Sequence, residues 1–226
     1  YTRREPVGVV GQIIPWNFPM LMVAWKWGPA LAAGCTVVMK PAEQTPLTLL
    51  ELAKDFEACG LPPGVVNVVT GMGPECGGPM VTHPDIRKIA FTGSAEVGKL
   101  IMRNAADQLK RVSLELGGKS PNIFFADADF EAAVDGALFG VFINQGEVCS
   151  AGSRIFVERS VQERVVELFA EATRKVKVGD PADEATEVGT LVSFKQRDRV
   201  KDYIEIGLGE GANLVVGGMA PDDPAL

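Results

Sequence analysis

The sequence is poor in the residues that most often run metal and acid–base chemistry. Its 226 residues include a single histidine, His83, and four cysteines, Cys35, Cys59, Cys76 and Cys149. No two cysteines form a Cys-x-x-Cys pair, so no metal site is expected. One histidine also argues against a triad with histidine as general base. Thiols spaced this way fit a reducing compartment in which they stay free. Acid–base work then falls to Asp, Glu, Lys, Tyr or Cys. Long apolar runs are missing too. The longest candidate, residues 20–33, is interrupted by Lys26, Gly28 and Pro29, short of the roughly 20 residues that span a bilayer. Positive charge is not in excess: the net charge is -7, with Lys and Arg scattered. Neither a nucleic-acid partner nor an anionic membrane surface is expected. The first residues, Tyr1 to Pro6, do not resemble a signal peptide, and the first residue is not Met. The expected compartment is the cytoplasm, with an upstream targeting segment left open.

What is present is enough apolar material for a core, 46% of residues, in an alternating pattern. Residues 7–14, 36–39, 65–69, 88–92 and 111–116 read as strands, and 65–69 as a strand covered on both faces. Helical stretches separate them: 20–33, closed by Gly34; a helix opened by Thr45 as N-cap with Pro46 at the first helical position and lined by Leu49, Leu52, Ala53 and Phe56; and one begun by Gly93-Ser94 with Val97, Leu100, Ile101 and Ala105 at helical spacing. Residues 71–78 read as a Gly-rich loop. Such a β-α-β series predicts an α/β fold with a doubly wound parallel sheet, a Rossmann-like cofactor domain.

The texture changes at residues 117–120, which predicts two domains: 1–117, dinucleotide-binding, and 118–226, the first part of an α/β catalytic domain. Beyond the boundary, 123–125, 154–157 and 213–216 read as strands. Ala133, Val134, Ala137, Leu138, Val141 and Phe142 mark an amphipathic helix. Ser160-x-x-Glu163 and Ser193-x-x-Gln196 read as capping boxes. Residues 219–226 read as a cut edge.

Ligands of an open parallel sheet bind at the carboxyl ends of its strands, so the residues there are the candidates. Asn17 can donate to a developing oxyanion, or be a turn-forming Asn beside proline. Lys40 and Glu43 can hold two ribose hydroxyls, or be a solvated surface pair. A carboxylate at the ribose disfavours a 2′-phosphate, which points to NAD over NADP and keeps NADP as the alternative. Gly71-Met72-Gly73-Pro74-Glu75-Cys76-Gly77 permits close backbone approach. Gly93-Ser94 before a helix suits a phosphate, or is an ordinary cap, and Glu96 in the first turn opposes the phosphate unless it points away. Glu115, partly desolvated beside Gly117 and Gly118, can be a general base or a paired structural carboxylate. Cys149, on a loop, can be a nucleophile, whereas Cys35 and Cys59 read as small buried apolar residues.

Taken together, Pro15-Trp16-Asn17-Phe18-Pro19, Lys40-Pro41-Ala42-Glu43, Phe91-Thr92-Gly93-Ser94, Leu114-Glu115-Leu116-Gly117-Gly118-Lys119 and Gln145-Gly146-Glu147-Val148-Cys149 resemble the aldehyde dehydrogenase superfamily, in its order and spacing. The resemblance implies that Cys149 attacks the aldehyde, that the Asn17 amide and the Cys149 backbone N–H stabilise the oxyanion, and that Glu115 activates the water that hydrolyses a thioester. It implies that Lys40 and Glu43 hold the adenosine ribose and that Gly93, Ser94 and Gly98 lie at the pyrophosphate. Trp16, Gly73, Gly77 and Gly117 become further cofactor-wall residues. Glu115 favours the hydrolytic branch over the CoA-dependent one. Members of that family are considerably longer, and their Glu-x-Phe-Gly-Pro segment is not in this sequence, so a partial chain that is inactive alone is expected. The full-length protein is expected to be a homodimer or homotetramer acting on a small-molecule aldehyde. A nucleotide-binding module without turnover and a scaffold remain as other readings. Cys149 and Glu115 count against the scaffold, which needs neither.

Overall fold

A computed structural model describes residues 1–220. By its contacts the chain divides into two compact units, Tyr1–Gly117 and a second that begins at Gly118. The expected cut edge at 219–226 lies, from residue 221 on, outside the described residues.

The first unit contains β1 (Val9–Ile13), α1 (Pro19–Ala32), β2 (Thr36–Lys40), α2 (Leu47–Ala58), β3 (Val66–Val68), α3 (Gly78–Thr82), β4 (Ile86–Gly93), α4 (Ala95–Ala106) and β5 (Arg111–Leu116). The five strands pair in parallel in the order β3-β2-β1-β4-β5, the doubly wound parallel sheet expected. The order reverses beside β1, which opens a crevice at the carboxyl ends of β1 and β4. Alternation along β2 sends side chains to opposite faces. Val37 and Met39 join a core with Ile14, Met22, Val23, Trp27 and Leu49 from the α1 and α2 side. Val38 packs instead against Met80, Val81, Ile89, Phe91, Ile101 and Ala105, the α3 and α4 side. α1 begins with proline at its first turn, and Gly34 follows it at φ 75°, a left-handed stop that glycine adopts without a Cβ clash. Trp27 of α1 meets Phe56 of α2 edge-on at 4.7 Å.

Several expectations do not hold. β3 is shorter than predicted and forms an edge of the sheet, not a strand covered on both faces. Asn67 is exposed there, and its amide donates to the Val37 and Gly64 carbonyls at 3.2 and 2.9 Å. The Gly-rich stretch is not all loop: Gly73–Gly77 forms a wide π-helical turn that runs into α3. The Thr45 hydroxyl is buried without a hydrogen-bond partner, so it does not cap α2. Of the residues at helical spacing in α4, Ile101 and Ala105 are buried while Val97 and Leu100 face outward. Cys35 is buried as expected, but Cys59, just beyond the end of α2, is exposed.

The second unit contains β6 (Pro121–Phe124), α5 (Phe130–Phe142), β7 (Arg154–Val157), α6 (Gln162–Lys175) and α7 (Phe194–Gly209). β6 and β7 pair in parallel. Phe124, Phe130, Val134, Ala137 and Val165 form its core. Asp129 caps α5 by accepting the Ala132 N–H at 3.3 Å, and Ser193 caps α7 by accepting the Gln196 N–H at 3.2 Å. The other predicted box does not form, because the Ser160 hydroxyl donates to Glu158 at 2.7 Å and α6 starts at Gln162. α5 is less one-sided than predicted, with Phe139 exposed. Residues 213–216 form no strand; Val215 and Val216 instead border an apolar groove of about 450 Å³ with Phe156 and Phe169. No helix among the described residues is long and apolar enough to cross a membrane.

One buried charge stands out in the first unit. Lys26, on the inner face of α1, is only 8% exposed. Its ammonium donates to Thr92 Oγ1 at 2.7 Å, and its carbonyl accepts from Gln12 Nε2 at 2.9 Å. Burial lowers it from 10.5 to about 8, with the Glu115 carboxylate pulling the other way. Between those two values the unfolded chain binds more protons at this site than the folded one, so this site makes stability rise with pH from about 8 to 10.5. Lys26→Met removes that slope. In urea titrations the stability of the Met variant relative to wild type should therefore fall across this range, and a flat difference would mean that Lys26 is not a desolvated cation.

Candidate active site

The first unit collects most of the sequence-derived candidates along the carboxyl edge of its sheet. β1 ends at Ile13, paired with Lys40 of β2 on one side and Phe91 of β4 on the other. Trp16 and Asn17 follow directly, both partly buried, in the turn that leads into α1.

At the end of β2, Lys40 is buried, and its ammonium donates to the Pro41 carbonyl and to Glu43 Oε1, each at 2.9 Å. The pair is therefore not the fully solvated one that local sequence allowed. The Gly73 N–H adds a small stabilisation of the Glu43 charge. Burial works to raise the Glu43 carboxyl. The Lys40 hydrogen bond, the backbone donors and the Lys40 charge outweigh it and hold the carboxyl below its ordinary value. Gly77 lies over the same spot: a Cβ there would stand 3.5 Å from Ile13 Cδ1 and 3.7 Å from Lys40 Cδ. Lys40, Glu43, Gly73 and Gly77 thus form one cluster.

Across the switch point, Gly93 ends β4 and Ser94 caps α4, its hydroxyl accepting the Val97 N–H at 3.3 Å. Glu96 is exposed in the first turn of that helix. Gly98 sits apart from the loop glycines. It is buried inside α4, and a Cβ would come within 2.8 Å of Leu116 Cδ2, so its bare Cα seats the helix on β5. Gly117 is exposed, with open space where a side chain would be.

Glu115 lies near the end of β5, opposite Thr92 in the parallel register. It is exposed, not partly desolvated as the sequence suggested. It lines a groove of about 550 Å³ together with Gln12, Lys26, Lys88 and Ser113. Lys26 and Thr92 were missed as members of this group. The available signal was a lysine inside an otherwise apolar helix, which reads from sequence only as an interruption.

In the second unit, Cys149 is exposed on the segment that follows α5. Three successive residues ahead of it take left-handed backbone: Asn144, Gln145 and Gly146, with φ of 50°, 57° and 74°. Two of these carry side chains, a conformation that costs about 1–3 kcal/mol per residue and persists only where the surroundings impose it. The Cys149 carbonyl rests on Gly118, where a Cβ would stand only 2.7 Å from the oxygen. Glycine is required for that approach. No cluster of His, Cys, Asp and Glu that suits a metal ion occurs among the described residues.

The family model described as the aldehyde dehydrogenase family matches residues 1–225. Aldehyde dehydrogenase 1A1 of Mus musculus is 56% identical over 219 residues, covering 96% of this chain and 44% of the relative. Retinal dehydrogenase 2 of Homo sapiens is 55% identical over 219 residues, covering 96% of this chain and 42% of the relative. Among solved structures, the NAD+ complex of the Bacillus cereus aldehyde dehydrogenase superposes with a TM-score of 0.96 at 56% identity, over 98% of this chain and 45% of that one. The chain thus spans less than half the length of the relatives it matches. With a family match over nearly its whole length, this chain belongs to the aldehyde dehydrogenase family.

Proposed function

We propose that the protein carrying this chain oxidises a small-molecule aldehyde to the carboxylic acid with NAD, using Cys149 as nucleophile and Glu115 as the base that activates water. The observation that carries this reading is the placement of Cys149: an exposed thiol on a loop whose backbone is held by Gly118 and by a strained left-handed turn. Cys35 is buried, and Cys59, though exposed, follows α2 with no left-handed turn ahead of it.

The first unit fits a dinucleotide. Lys40 and Glu43 present a donor and an acceptor at the end of β2, suited to two vicinal hydroxyls of a ribose. Glu43 stays ionised and would repel a 2′-phosphate, which favours NAD over NADP. Gly73 and Gly77 leave the adjoining surface free of side chains. The N-terminus of α4, with Gly93 and Ser94, offers backbone donors to a pyrophosphate. Trp16 and Gly117 would complete the wall. Gly98 supports the site by seating α4 and is not a contact residue in this reading. The related Bacillus cereus structure is an NAD+ complex, which supports the same cofactor here. Bound NAD would supply the acceptor for the hydride that leaves the aldehyde carbon.

The chain's own residues account for the rest. The Cys149 thiolate adds to the carbonyl carbon, forming a C–S bond and pushing the π electrons onto oxygen. The Asn17 amide and the Cys149 N–H would stabilise that oxyanion by preorganised hydrogen bonds. Once the carbon has been oxidised, a thioester to Cys149 remains. Glu115 takes a proton from water, the hydroxide forms the new C–O bond, the C–S bond breaks to return the Cys149 thiolate, and Glu115 releases its proton to solvent. The Glu115 carboxylate in turn helps keep the buried Lys26 ammonium, hydrogen-bonded to Thr92, charged.

In the full-length protein, with NAD and an aldehyde panel, Cys149→Ala should abolish NADH formation while NAD binding persists. Retention of full activity by that variant would sink the assignment, and absence of activity in wild type with intact NAD binding would favour the nucleotide-binding module. Glu115→Gln should keep a burst of NADH but slow the steady state by roughly a hundredfold or more, the usual contribution of a general base; loss of the burst as well would place Glu115 in the first half of the reaction. Lys40→Met removes a charge-assisted hydrogen bond of about 1.5–3 kcal/mol. By calorimetry it should weaken NAD binding by roughly ten- to a hundredfold, and an unchanged affinity would remove Lys40 from the ribose site.

A further inference from the structure

The turn that delivers Cys149 takes a backbone that one of its residues does not favour. Asn144 stands at φ 50°, ψ 45° and Gln145 at φ 57°, ψ 24°. Asparagine visits the left-handed region with some ease and glutamine does not, so Gln145 is the more strained of the two. Its side chain leaves the turn and lies against Gly189, where a Cβ would stand 3.3 Å from Gln145 Nε2 and 3.4 Å from Pro181 Cβ. Both Gln145 and Gly189 are half-buried. The bare Cα at 189 leaves room that the amide occupies. The surface beneath that amide is braced by its own bonds. Val178 and Val188 form a parallel bridge. The Gly179 N–H donates to the Val188 carbonyl and the Val188 N–H to the Lys177 carbonyl, each at 3.1 Å, and the Lys177 N–H donates to Glu187 at 2.8 Å. Gly179 in turn closes on Thr186, where a Cβ would stand 2.6 Å from Oγ1. Residues 177–189 therefore form a frame against which a strained turn can be held.

We propose that Gln145 is a positioning residue for the nucleophile: seated on Gly189, its side chain holds the left-handed turn on which the placement of the Cys149 thiol, four residues further on, depends. This rests on Cys149 being the nucleophile. Gln145 touches no reacting atom and acts through the backbone. A non-glycine residue in this conformation relaxes unless its surroundings impose it, and the Gly189 seat is the contact that Gln145 makes outside its own turn. Truncation at 145 then has two separable effects. Alanine removes the contact and keeps the Cβ that makes the backbone strained. Glycine removes the contact and the strain together.

In the full-length protein the readouts are hydrogen–deuterium exchange of a peptide covering 143–150, the NADH burst and NAD affinity. The peptide includes the Glu147 N–H, which closes the turn on the Asn144 carbonyl at 2.9 Å. Gln145→Ala should speed exchange and slow the burst by about tenfold, the worth of one strained left-handed residue, with NAD affinity unchanged. Gln145→Gly should recover most of that loss in both readouts. Gly189→Ala pushes on the amide, so it should act in the same direction as Gln145→Ala, more weakly, and have no effect in the Gln145→Gly background. Those two Gly189→Ala measurements decide the matter if Gln145→Ala does not fold. Wild-type exchange or a wild-type burst in Gln145→Ala overturns the proposal. So does a Gln145→Gly variant as impaired as Gln145→Ala, a loss of NAD affinity as large as the loss of burst, or a Gly189→Ala effect that is absent or equal in both backgrounds. If wild type forms no NADH, the proposed activity fails, and the exchange data alone still decide whether Gln145 holds the turn.

Discussion

In a parallel sheet every strand ends on the same edge, and in this chain that constraint gathers the chemistry of the first unit. Side chains far apart in sequence, from Trp16 to Gly117, are brought to one edge because β1, β2, β4 and β5 all run toward it. The reversal of order beside β1 then separates two neighbourhoods. On the β2 side, the buried Lys40 ammonium donates to Glu43. On the β4 and β5 side, Thr92 links the buried Lys26 to the strand that carries Glu115. The first neighbourhood presents a donor and an acceptor side by side, and the second a buried cation near a carboxylate.

The two lysines show how differently a buried ammonium can be accommodated. Lys40 has a carboxylate and a carbonyl as partners. Lys26 has a hydroxyl, with Glu115 acting only through its field, and desolvation dominates its titration. A buried cation without a directly bonded anion is costly to keep charged. That cost is the physical reason to connect Lys26 with Glu115 and not with packing alone.

Much of this was legible in the sequence where local rules and tertiary context agree. β5 and β7 have the predicted limits, because alternating or compact apolar runs bounded by Gly, Pro or charge leave few other choices. Ser94 and Ser193 cap as read. The failures have particular causes. Ser160 found a nearer partner in Glu158, a competition that spacing does not reveal. Residues 213–216 have β-forming composition, but a strand needs a neighbour, and none of the described strands pairs with them. β3 was misread because sequence does not say whether a strand lies inside a sheet or at its edge. At the site, Cys149, Glu115, Lys40 and Glu43 are recognisable by residue type at strand and helix ends. Lys26 is not, since its meaning lies in what folds against it: Thr92, sixty-six residues along the chain.

The contact between Gly118 and the Cys149 carbonyl carries a consequence for how this region tolerates change. Residue 118 brings no side-chain atom, yet the backbone of Cys149 occupies the space its side chain would need. Saturation libraries would be expected to show that position as depleted as a reacting residue, and for reasons of room alone. Sensitivity to substitution there measures how closely two stretches of main chain have been brought together, not participation in bond making.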